Sequence, residues 1–104
     1  MTAEQILADL SAELLPEPDV EEGTGFGSNP GLRTSGKIFA MAVRGAVVFK
    51  LPPDRCEALA AGGNARFFVV GKREMREWIA FDTVDGGEDF IALAREARAF
   101  VAGA

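Results

Sequence analysis

Apolar positions near the start of the chain fall on one helical face. In "TAEQILADLSAELL", Ile6, Leu7, Leu10 and Leu14 recur at spacings of one, three and four, which predicts a helix from about residue 3 to 15. Thr2 suits the N-cap, and Gln5 three residues on completes a capping box. The following "PEPDVEEGTG" carries two prolines, stops the helix and reads as an acidic connector. From residue 37 the period changes. "KIFAMAV" and "AVVFKL" are β-rich runs linked by Arg44-Gly45, a hairpin signal weaker than Asn-Gly. Pairing Val43 with Ala46 puts Ile38, Ala40, Ala42, Val47, Phe49 and Leu51 on one face of that hairpin. Phe39, Met41, Val43, Val48 and Lys50 then take the other. Both faces are largely apolar, so the second needs a cover, either a local helix or another molecule.

Farther along, "PPDRCEALAAG" has an early proline and closing glycines, as expected for a short helix over 53–61. "ARFFVVG" and "EWIAFD" read as two strands joined by the basic "KREMR". The closing "GEDFIALAREARAFVA" aligns Phe90, Leu93, Ala94, Ala97, Phe100 and Val101 on one stripe. It predicts a helix over about 87–102, with Glu88 and Asp89 in the first turn, where they favour the helix dipole. Strands cluster instead of alternating with helices. The pattern therefore predicts an α+β fold in the order α-β(3)-α-β(2)-α, with an antiparallel sheet packed against helices.

With 104 residues the chain suits a single domain spanning 1–104, and 48% hydrophobic residues with 26% charged is ordinary globular composition. No apolar run approaches the roughly 18 to 20 residues a membrane helix needs, so no membrane association is expected. One cysteine, Cys56, cannot form an internal disulfide and fits a reducing, cytoplasmic location. There is no His. The side chain best suited to proton transfer near neutrality is therefore missing, and Cys56 has no imidazole to act as its base. We expect a non-catalytic protein with no cofactor and no metal, in which Cys56 is a helix-packing thiol.

Charge is unevenly spread. Residues 1–32 hold seven acids and no base, residues 33–76 hold nine bases against Asp54, Glu57 and Glu74, and residues 77–104 are acidic again. Such asymmetry points to an anionic partner for the middle, or to acidic outer segments that pack around it and neutralise it. "GLRTSGKI" (31–38) also spells G-x-x-x-x-G-K, the core of a phosphate-cradling loop. That chemistry requires a buried strand before the first Gly and a helix starting at the Lys. Here "GTGFGSNP" precedes it and the strand-like "IFAMAV" follows, so the segment is expected to be a tight Ser-Gly turn between two strands.

The ordered set Gly36, Lys37, Phe39, Ala40, then Phe49-Lys50-Leu51, Arg55 and Trp78-Ile79 resembles the YjbR/MmcQ-like proteins and the related TfoX N-terminal domain. The acidic, Gly- and aromatic-containing "EEGTGFG" (21–27) is similar to the stretch before the first strand in those families. The resemblance spans nearly the whole chain and rests on the order and spacing of short motifs. It implies a compact domain with an antiparallel sheet backed by helices. Its functional implication is broad: YjbR-like proteins have been proposed to bind DNA, TfoX proteins are linked to competence regulation, and many members have no assigned role.

Candidate anion contacts are the loop and strand-end bases Arg33, Lys37, Arg44, Lys50, Lys72, Arg73 and Arg76. Lys37 and Lys50 also read as solvated strand-end charges, and Trp78 as a core residue more readily than a base-stacking platform. DNA is the expected partner of a regulatory or binding module. The alternative is a protein-interaction domain that homodimerises through the apolar hairpin face without binding nucleic acid.

Overall fold

The computed structural model describes residues 2–25, 27–82 and 89–103. Three helices and six strands follow the order α1 (Ala3–Leu14), β1 (Val20–Gly25), β2 (Asn29–Thr34), β3 (Lys37–Val43), β4 (Ala46–Lys50), α2 (Pro53–Ala61), β5 (Arg66–Val70), β6 (Arg73–Phe81) and α3 (Phe90–Ala102). One antiparallel sheet runs β1-β2-β3-β4-β6-β5. The α+β class is as predicted, with one strand more before α2. That strand, β1, lies in the stretch expected to be a connector. Glu21, Glu22, Gly23 and Gly25 are poor strand formers, and pairing along the whole of β2 overrides their preference.

Local signals explain most of the elements. Thr2 and Gln5 form the capping box, with Gln5 N–H donating to Thr2 Oγ1 at 3.1 Å and Thr2 N–H donating to Gln5 Oε1 at 2.7 Å. Ile6, Leu7, Leu10 and Leu14 are buried. Asp89 caps α3 by accepting from Ala92 N–H at 3.0 Å, just ahead of the first turn in which the sequence put it. The predicted residues 87 and 88 of that helix lie outside the described residues. Ser35 and Gly36, at φ 51° and 81°, make the turn between β2 and β3. "GLRTSGKI" is thus a strand, a tight turn and a second strand, with no helix at Lys37.

All three helices lie on one face of the sheet. Ile6, Leu10 and Leu14 of α1, Leu93, Ala97 and Val101 of α3 and Cys56 of α2 share a core with Ala40, Phe49, Ile79 and Phe81. Within it the rings of Phe49, Phe81 and Phe90 meet pairwise at 6.1, 6.1 and 5.3 Å between centroids. Truncating any of them should cost about 3–5 kcal/mol.

The predicted pairing of Val43 with Ala46 is found, but two residues exchange faces. Leu32 pairs with Ala40 and Arg33 with Ile38, so Phe39 is the extra residue of a bulge. It turns inward to the helix-side core, while Ile38 packs with Met41 and Val48 on the opposite face.

A second bulge decides what covers that opposite face. Phe67 pairs with Ile79 but Phe68 pairs with Met75, leaving Arg76, Glu77 and Trp78 of β6 unmatched on the β5 side. In a flat sheet the β5–β6 tip would project past Lys50, the last residue of β4. Instead the hairpin end curls back across the sheet. Phe68 and Met75 pack on Met41, Val43, Val48, Trp78 and Ala80, and Val70 and Gly71 reach Val43 and Arg44 at the far end of β3. The cover is therefore part of the chain itself. Phe39, Met41 and Val48 are all 0% exposed, which removes the reason for a homodimer through this hairpin face. No helix among the described residues is long and apolar enough to cross a membrane.

Candidate anion-binding surface

The seven bases singled out in the sequence divide three ways. Arg33 is committed to the sheet: it crosses Gly23 of β1 and donates from Nη2 to the Thr24 carbonyl at 2.6 Å. Lys37 is exposed at the start of β3, in neither recess described below. The other five line the overhang or its flanks. Lys50, Arg73 and Arg76 share a recess of about 310 Å³ with Glu74, Glu77 and Trp78. Arg44 lines a second recess with Val70 and Gly71, on the other side of the hairpin tip that carries Lys72.

"KREMR" is not the loop expected from its composition. Gly71 and Lys72 form the turn, whereas Arg73 to Arg76 continue β6. Strand geometry gives these bases their spacing. Arg76 stacks its guanidinium over Phe67 at 4.8 Å and sits 3.5 Å from Glu74, so it is partly neutralised. Lys50 holds its ammonium 5.6 Å from the ring centre of Trp78, directly across the β4–β6 pair. Trp78 is 5% exposed, a core residue whose face is unavailable for stacking on a base.

Elsewhere acids from the outer segments do neutralise bases. Arg55 donates to both carboxylate oxygens of Glu96 at 2.9 and 3.1 Å, tying α2 to α3, and Arg66 pairs with Asp82. Arg98 of α3 pairs with Asp19, which also accepts from Thr34 Oγ1 at 2.6 Å. These contacts hold the carboxyls of Asp19 and Asp82 below the usual carboxylate range. For Asp19 the Arg98 hydrogen bond is the main cause, and for Asp82 the Arg66 hydrogen bond. Lys37, Lys50, Arg44, Lys72 and Arg73 form no ion pair among the described residues. Neutralisation is therefore complete at Arg55, Arg66 and Arg98, partial at Arg76, and not seen at the other bases of the overhang among the described residues.

The sequence reading missed two features of this surface. Glu74 and Glu77 intrude on the Lys50 recess, because a bulged strand brings both sides of β6 to one place. Val70 stays 45% exposed beside Arg44, which reading "ARFFVVG" as a strand did not show. Cys56 is fully buried, with its thiol donating to the Leu51 carbonyl at 3.6 Å and burial pushing its pKa up to about 11. No group of three or more potential metal ligands occurs among the described residues. In comparisons with known proteins, no family model, curated protein or solved structure matches the chain.

Proposed function

We propose that this protein is a non-catalytic, cytoplasmic binding module that contacts the phosphate backbone of nucleic acid through the β5–β6 overhang. The observation that carries the reading is the fold-back of the hairpin. It sets Arg44 in one recess with Gly71 and Lys50 in another with Arg73, the two residues that flank Lys72, and none of these four bases is tied up in an ion pair among the described residues. Loop and strand-end cations of this kind supply sequence-independent attraction by releasing counterions from the phosphates. Trp78 is buried and Phe67 lies under Arg76, so the contact is electrostatic and does not involve base stacking. The resemblance to YjbR/MmcQ-like and TfoX N-terminal domains agrees with this reading. So does the absence of His, together with a Cys56 thiol kept protonated in the core.

Fluorescence anisotropy with labelled duplex and single-stranded DNA at low ionic strength tests the proposal. Both should bind with similar affinity and no sequence preference, and the Lys72→Glu/Arg73→Glu variant should lose binding. No binding by the wild-type chain, or unchanged binding by the variant, would overturn it.

A further inference from the structure

We propose that the recess between the three hairpin segments is a site for a small carboxylic acid with an apolar body. It has a volume of about 480 Å³, within the range typical of small-molecule sites. Val43, Phe68 and Val70 supply apolar walls, and Gly27 and Gly71 leave its mouth clear, since a Cβ at either would meet nothing within 4 Å. Asn29, at the start of β2, also lines it. Arg44 is the one charged residue in this lining among the described residues, and it forms no ion pair among them.

Two further observations favour an occupant. Val70 exposes 45% of its surface beside the Arg44 cation, while Val43 and Phe68 of the same lining are buried. Arg44 also holds a left-handed conformation, φ 47°, at the first position of a two-residue hairpin turn where Asn, Asp or Gly is the easy choice. A guanidinium kept at that strained position beside apolar walls matches a planar monoanion carrying an apolar tail. Its paired donors meet a carboxylate bidentately. The site shares Arg44 with the nucleic-acid reading but takes nothing from Lys72 or Arg73, so variants at those two residues tell the readings apart.

Titration with octanoate, followed by NMR shifts of the Val43 and Val70 methyls, tests the inference, with octan-1-ol and acetate as probes lacking the charge or the tail. Saturable shifts with octanoate are expected, with both other probes at least roughly tenfold weaker, octan-1-ol for want of the charge-assisted hydrogen bonds and acetate for want of the apolar contact. Arg44→Asn removes the charge while suiting the turn, so it should weaken octanoate by a similar factor and leave octan-1-ol unchanged. Val70→Asp should weaken both. Lys72→Gln/Arg73→Gln should leave octanoate affinity alone while weakening DNA, which separates failure of this site from failure of the phosphate contact. Equal binding of octanoate and octan-1-ol, no effect of Arg44→Asn, or no shift at either valine would overturn the assignment.

Discussion

Single residues carry two tests that need no ligand. Cys56 is fully exposed only on unfolding, and its raised thiol pKa keeps it protonated at mildly alkaline pH. A disulfide reagent at pH 8 should therefore label the native protein far more slowly than the same chain in denaturant; equal rates would contradict the burial. Asp19 is tied to Arg98 and Thr34, and the folded state favours its ionised form. Its contribution to stability is thus present above about pH 4, the range of an unfolded carboxyl, and is lost as pH falls below it. Asp19→Asn should flatten the acid side of the stability profile measured by denaturant unfolding. An unchanged acid limb would show that the cluster contributes nothing. The helix caps and helical stripes were plain in the sequence because they depend on neighbours three and four places away. The partners of Asp19 were not, since Thr34 and Arg98 reach it from 15 and 79 residues away.

At the scale of elements, two bulges shape the molecule. The first sends Phe39 into the helix-side core and Ile38 to the other face, an exchange that strict alternation could not show. Phe39→Ala should cost about 3–5 kcal/mol, more than Ile38→Ala at its half-buried position. Close packing at this bulge also requires Gly31, where a Cβ would stand 2.6 Å from the Ala40 carbonyl oxygen and 2.5 Å from Ile38 Cδ1. At Gly23 the nearest atoms to a Cβ all belong to the Arg33 side chain, the closest at 2.7 Å, and none is backbone. Thermal unfolding should accordingly show Gly31→Ala losing about 1–3 kcal/mol and Gly23→Ala less; the reverse order would mean that the β2–β3 backbone adapts easily. Runs of strand-forming residues made the β3–β4 and β5–β6 hairpins legible. The acidic, Gly-rich β1 was hidden because its pairing partner, and not its own composition, makes it a strand.

For the whole molecule, the fold-back of the β5–β6 hairpin links the fold to the proposed phosphate-binding surface. It answers how a hairpin with two apolar faces stays covered, and it brings Gly71 beside Arg44 and Arg73 beside Lys50. Light scattering at micromolar concentration should therefore give a monomer, and a dimer mass would mean that some other surface associates. The sequence made the charge asymmetry visible but not its partition. Arg55, Arg66 and Arg98 meet acids brought to them by the fold, whereas Lys72 and Arg73 on the overhang form no ion pair among the described residues. The salt dependence of duplex DNA binding tests this account most directly. If Arg44, Lys72 and Arg73 meet phosphates, neutralising all three as Arg44→Asn/Lys72→Gln/Arg73→Gln should reduce the slope of log affinity against log salt by about 2.7, at about 0.9 per phosphate contact. Neutralising the ion-paired Arg55 and Arg66 should leave it unchanged. Equal slopes for the wild-type and triple-variant proteins would contradict the overhang as the binding surface.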